Sequence, residues 1–189
     1  MLCLQPHKID YNTCYALKNE ADEDEKDTFY NMLQGVTKDV PSCNIMYVVD
    51  DLNVKVGAGH RYCAQVLGCH SIGEMNGNGV LLVDYAVSND LVIGETLLKH
   101  KTIHKYTWMS PDGPTRNQIE HFLISKHWRS SLLNVHGFPG VHMNSDHILV
   151  VAEIQIKLKA QKQSAKKVSK QVEGSGYTKK FLHIPAKQI

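Results

Sequence analysis

The chain has 189 residues, 42% of them hydrophobic, which allows one globular domain with a real core. No apolar stretch approaches the roughly 20 residues that span a bilayer, and Met1-Leu2-Cys3-Leu4 meets Pro6 and His7 too soon for a secretory signal. A transmembrane or secreted protein is therefore not expected, and the chain reads as intracellular, nuclear or cytoplasmic. The net charge of +2 conceals a segregation: from Lys157 onward nine lysines stand against Glu173 alone, about +8, which leaves about −6 for the residues before them.

In chain order, Ile9 to Ala16, with Tyr11, Thr13 and Tyr15, has the composition of a short strand. The acidic run Glu20, Asp22, Glu23, Asp24, Glu25 and Asp27 then predicts the first turns of a helix, where carboxylates meet the positive end of the helix dipole. Phe29, Tyr30 and Leu33 supply its apolar stripe, with an end expected near Gly35. After Pro41, Ile45 to Val49 is a continuous apolar run of the kind found in a strand buried on both faces. The glycines between Val56 and Gly79, with Asn76 and Asn78, predict a long loop, and Gly57-Ala58-Gly59 is no dinucleotide fingerprint because no capped helix opens after it. Leu81, Leu82, Tyr85 and Ala86 recur at helical spacing up to Asn89, and Leu91-Val92-Ile93 reads as a strand.

Tyr106-Thr107-Trp108 and Gln118 to Ile124 flank the turn residues Ser110-Pro111-Asp112-Gly113-Pro114, which predicts a hairpin. Ile148 to Leu158 alternates Ile154, Ile156 and Leu158 against Gln155, Lys157 and Lys159, a last strand. Interleaved helices and strands with a hairpin favour a mixed α/β (α+β) sandwich over an all-parallel sheet. Residues 1–158 form the expected domain and 159–189 a basic tail of disordered composition.

Two apolar runs border residues that carry chemistry. One ends in Asp50-Asp51-Leu52-Asn53, and the other is entered from Ser145-Asp146-His147. Carboxylate, amide and imidazole together suit phosphodiester cleavage with a divalent metal: the carboxylate for the cation, the amide for the attacking water, the imidazole for a phosphate oxygen or proton. The plainer alternative for Asp50 to Asn53 is a turn, since Asp and Asn bond their own backbone there. Among the 11 histidines, His100 with His104 and the pair Cys69-His70 approximate zinc spacing, but no second pair completes a tetrahedral set. Cys3, Cys14, Cys43, Cys63 and Cys69 are scattered and read as reduced thiols, while His60, His104 and His136 read as surface residues. Trp128 and Leu132-Leu133 read as core.

An ordered series of blocks resembles one family. These are Cys14-Tyr15-Ala16 with Phe29-Tyr30; Asp51 to Gly57; Asn76-Gly77-Asn78-Gly79; Lys105 to Trp108 with Ser110 to Gly113; Arg116 to Ile119; Trp128 to Leu133; and Ser145-Asp146-His147. From about Tyr11 to Lys159 the chain resembles the endonuclease/exonuclease/phosphatase superfamily, specifically the endonuclease domain of LINE-type retrotransposons and the craniofacial development protein 2-like proteins. The resemblance implies a four-layer α/β sandwich and a magnesium- (or manganese-) dependent nuclease, a hydrolase acting on nucleic acid, with DNA the expected partner.

By the same resemblance, Asp51 would handle the nucleophilic water and Asn53 orient it, while Tyr15 would contact the scissile phosphate. Asp146, with Asp51, would bind the metal; His147 would bind a phosphate oxygen or its proton, Glu120 would hold that imidazole, and Trp108 would pack nearby. The family has glycine at Asp50, aspartate at Glu120 and proline at Leu17. The extra methylene of Glu120 is expected to move its carboxylate by more than about 1 Å, enough to disturb its hold on His147. The family's first half-sheet and principal metal-binding glutamate are not matched ahead of Tyr15, so an amino-terminally truncated domain, with an exposed sheet prone to self-association, is expected. The alternative to the endonuclease is an inactive retroelement-derived remnant that binds nucleic acid weakly through its lysine-rich tail.

Overall fold

Strand alternation shows how the apolar runs are used. In β2 (Ile45–Asp51) Met46 and Val48 face one core, while Ile45, Tyr47 and Val49 face another, so the strand is covered on both sides. The computed structural model describes residues 9–13, 19–58, 64–140, 145–157 and 177–184, with backbone alone at 9–13, 50, 157 and 177–184. β1 (Ile9–Thr13) pairs parallel with β2, and β6 (Glu120–Ser125) lies antiparallel between β2 and β3 (Leu91–Ile93), giving the order β1-β2-β6-β3. The sheet is mixed, as the sequence implied.

One face of this sheet is covered by two helices. α1 (Glu23–Lys38) opens on Glu23, Asp24 and Glu25 and buries Leu33 and Thr37. It runs past Gly35 because the Thr37 hydroxyl donates to the Leu33 carbonyl at 2.7 Å and packs on the Tyr85 hydroxyl, which gives the last turn buried partners. α2 (Gly77–Ser88) starts four residues before the apolar stripe that predicted it. Asn76 is its cap: the side chain accepts from Gly79 N at 2.8 Å and from Lys55 N at 3.0 Å, closing the helix start onto the chain after β2. Gly79 is there because a Cβ would come 2.2 Å from the Lys55 carbonyl oxygen.

The other face packs on a second, antiparallel sheet of β7 (Leu132–Gly137), β8 (Val150–Lys157) and β9 (Tyr177–Ile184), in that order. Val135, Val150, Ala152, Ile154 and Ile156 meet Tyr47, Phe122 and Ile124 there, with Trp128 and Leu132 alongside; Leu133 is exposed. Helix, sheet and sheet supply three of the four expected layers among the described residues. The hairpin forms from a different second strand than expected: β4 (Trp108–Met109) pairs with β5 (Arg116–Asn117), and residues 120–125 enter the central sheet instead. A five-residue apolar or buried run from Glu120 to Ile124 is better placed between two strands than at a hairpin edge. β9 falls inside the segment read as a disordered tail, where Tyr177, Phe181, Leu182 and Ile184 give strand-forming composition among lysines and the register sets all eight residues opposite β8. No helix among the described residues is long and apolar enough to cross a membrane.

Candidate active site

The row of β2 side chains that faces the second sheet, Ile45, Tyr47 and Val49, continues two residues on to Asp51. In β6 the corresponding row of Phe122 and Ile124 begins with Glu120. Asp51 and Glu120 are direct cross-strand neighbours, and both are buried, at 8% and 6% exposure. Two carboxylates facing each other in a ladder repel, more so away from water, and need a cation between them. His147 takes that place. Its Nδ1 donates to Glu120 Oε1, and its Nε2 lies 3.9 Å from Asp51 Oδ2 and 3.8 Å from Asp146 Oδ1.

His147 is brought there by backbone pairing with β4. Met109 N donates to the Asp146 carbonyl at 2.9 Å, Ile148 N to the Thr107 carbonyl at 2.6 Å, and His147 bridges Trp108. The side chains on either side of this seam complete the fit. Trp108 Nε1 donates to Asp146 Oδ2 at 2.6 Å, Ser145 Oγ accepts from His147 N at 3.1 Å, and Thr107 Oγ1 accepts from Ile119 N at 2.9 Å and Glu120 N at 3.1 Å. Asn53 follows Asp51 in a left-handed turn, φ 48°, with its amide N donating to Asp51 Oδ1 at 3.1 Å. This is the Asx turn of the plainer reading, and it keeps the Asn53 backbone beside the Asp51 carboxylate.

The hydrogen bond to Glu120 holds the His147 imidazole above its ordinary pKa of 6.5 against the opposing effect of burial, and the charges of Glu120, Asp51 and Asp146 add to the rise. Burial pushes the Glu120 carboxyl up, opposed by hydrogen bonds from His147 and Thr107. A proton is thus held strongly between the two. The added methylene of Glu120 does not cost the contact with His147. Thr107 fixes the backbone of Glu120, and the side chain spans the distance from the first residue of β6 to the Nδ1 atom.

Asp51, Glu120, Asp146 and His147 therefore meet at one end of the space between the sheets, with Asn53 joined to Asp51 through its backbone amide. Tyr15, Leu17 and the Asp50 side chain lie outside the described residues. Two further groups escaped the sequence reading. Thr107 ties the start of β6 to the segment before β4, beside the Trp108 that the resemblance puts near the site, and its only trace in the sequence was a β-branched residue next to aromatic ones. His121, fully buried beside Glu120, donates from Nδ1 to Glu95 Oε1 and from Nε2 to the Val54 carbonyl at 2.8 Å, while Glu95 Oε2 accepts from Phe122 N at 3.1 Å. Both ring nitrogens face acceptors, an arrangement that favours the protonated ring beside the buried Glu95 carboxylate. It fixes the chain just past Asn53 to β6. Its signal in the sequence was a titratable residue embedded in an apolar strand.

No family model matches the chain. It is similar to craniofacial development protein 2 of Tragulus javanicus and of Bos taurus, 33% identical to each over 155 residues, 82% of this chain. It spans only 27% and 26% of the lengths of these curated relatives. Among solved structures it superposes on a 3'-5' exonuclease (NExo) from Neisseria meningitidis with a TM-score of 0.57 and 17% identity, over 76% of this chain and 60% of that one. The layered sheets, the sequence likeness and this superposition identify the architecture as the endonuclease/exonuclease/phosphatase-type fold.

Proposed function

We propose that the chain carries the site of a divalent-metal-dependent phosphodiesterase, an endonuclease acting on nucleic acid, with DNA as the favoured substrate. The observation that carries this is the placement of His147 among three carboxylates, Asp51, Glu120 and Asp146, at one strand end. A catalytic imidazole needs its second nitrogen held, and Glu120 holds Nδ1, which leaves Nε2 to donate to a phosphate oxygen. The neighbouring carboxylates hold the imidazole above its ordinary pKa, which favours the cationic form that suits an anionic substrate. Asp51 would take the proton of the attacking water, Asn53 would orient that water, and Tyr15 would contact the phosphate.

Asp146 and Asp51 fit a magnesium (or manganese) ion. Asp146 Oδ1 is buried with no hydrogen-bond partner while Trp108 pins Oδ2, and such ions are commonly held by one or two carboxylates with water and substrate phosphate completing the shell. Bound there, the ion would supply neutralisation of charge on the phosphate. The test is nicking of supercoiled plasmid with magnesium present or chelated. Magnesium-dependent nicking that disappears in Asp51→Asn and His147→Gln supports the reading, and cleavage that survives both substitutions overturns it.

A second reading, nucleic-acid binding without cleavage, rests on the nine lysines from Lys157 onward. It predicts salt-sensitive DNA binding with no nicking at any magnesium concentration.

A further inference from the structure

In a cavity that Glu120 also lines, three imidazoles gather. The His136 ring lies 5.5 Å from that of His100 and 5.7 Å from that of His104, centroid to centroid. His104 and His136 had been read from the sequence as surface residues, yet both are half-buried, and with His100 they line a small cavity that Glu95, Gln118 and Glu120 close at its inner end. Two of the rings carry an anomaly. His100 Nε2 and His136 Nδ1 are buried with no hydrogen-bond partner, a condition that calls for an explanation, a bound ion being one.

We propose that His100, His104 and His136 form a binding site for a borderline divalent transition-metal ion, zinc in the first instance, separate from the carboxylate site. With a zinc–nitrogen bond of about 2.0–2.1 Å, two imidazoles in tetrahedral coordination have centroids about 5 Å apart, close to the two separations found here. His104 is oriented as metal-binding histidines usually are: its Nδ1 meets the Gly137 carbonyl at 3.3 Å, leaving Nε2 for the ion. Among the described residues no three such donors already surround one point, so the ion requires the rings of His100 and His136 to turn. Rotation about χ2 of histidine is soft, and the buried, unpartnered nitrogens lose no hydrogen bond by it.

The electrostatics are compatible. Burial, with the neighbouring His136, His104, Lys105 and His70, holds His100 below its ordinary pKa, and burial and His104 do the same for His136. Neutral imidazole is the form a metal takes. Lys105 opposes a cation, but its Nζ is engaged by the His70 carbonyl, and the carboxylates of Glu95 and Glu120 border the same cavity. The site adds to the two-histidine pattern His100-x-x-x-His104 a third ligand from β7, which the sequence spacing could not reveal.

The experiment is calorimetric titration of the full chain, prepared without a polyhistidine tag, with zinc chloride, and in parallel visible absorption on titration with cobalt. One equivalent of zinc is expected to bind at pH 7.5, at least tenfold more weakly in His136→Phe, His136→Gln and His100→Gln, and more weakly in the wild type at pH 5.5. Binding should persist in Cys69→Ser and in Asp146→Asn, which also separates it from the proposed magnesium site. Circular dichroism melts identify which variants are folded, and the glutamine variants cover any failure of the phenylalanine one. Absence of saturable binding, binding indifferent to all three histidine variants, or binding lost in Cys69→Ser or Asp146→Asn overturns the proposal.

Discussion

At the scale of single residues the chain is organised around two buried histidine–carboxylate pairs that lie on opposite faces of β6. His147 with Glu120 belongs to the proposed chemistry; His121 with Glu95 belongs to the scaffold beneath it. Removing one member of the scaffold pair leaves the other charged and unpaired, so Glu95→Ala is expected to lower unfolding stability by about 3–5 kcal/mol in chemical denaturation. Its pH dependence has a definite sign. Burial lowers the pKa of His121, but the charge and hydrogen bond of Glu95, with the Val54 carbonyl, outweigh it and raise the folded value above 6.5. The stabilisation is then fully present below pH 6.5 and lost as pH rises through the folded pKa. A melting temperature that falls between pH 6 and pH 9 in the wild type, with a shallower fall in Glu95→Gln, is the expected result; His147 contributes with the same sign. Of the site itself, Asp51, Asn53, Asp146 and His147 were legible because each stands in a block of the family's order, and Glu120 because it follows one directly, where the family has aspartate. Thr107, Glu95 and His121 were not, since their roles depend on which segments are brought alongside them.

At the scale of elements, the helices and strands followed the apolar periodicity, and the differences came at their ends. α2 begins at Gly77 because Asn76 serves as a cap for the helix and a bridge to Lys55, a role no local pattern distinguishes from loop chemistry. Asn76→Ala should cost about 1 kcal/mol, read from the denaturation midpoint. Gly79→Ala should cost more, about 1–3 kcal/mol, because the new methyl meets the Lys55 carbonyl and not a yielding side chain. A smaller effect for Gly79→Ala than for Asn76→Ala would refute the close approach of α2 to that backbone. The hairpin shows the same limit of local reading. Turn residues 110–114 fixed where the chain reverses, but the competition between Arg116–Asn117 and the strand from Glu120 to Ser125 for pairing with β4 was decided by burial of Phe122, Leu123 and Ile124 in the central sheet.

At the scale of the whole molecule, β1 and β3, and β7 and β9, are the sheet edges among the described residues, and Met32, Val36, Val80 and Val87 are exposed on the two helices. We propose self-association from these features, and sedimentation velocity should show species larger than the monomer; a single monodisperse monomer would contradict it. The proposed role of the basic segment is better tested by replacing Lys162, Lys166, Lys167 and Lys170 with glutamine than by deletion, because deletion would also remove β9 and uncover β8. The substitutions should weaken DNA binding and flatten its salt dependence by filter binding. The sequence by itself determined the mixed α/β class, the main strands and helices, and the family resemblance that nominated the site, because these reside in apolar periodicity and in contiguous blocks. Only the tertiary structure decided that Asp51 and Glu120 oppose each other, that His147 lies against both, and that His136 joins His100 and His104. Those relations hold across 27 to 96 positions of chain, and strand register and sheet stacking, not local spacing, set which distant side chains share one buried volume.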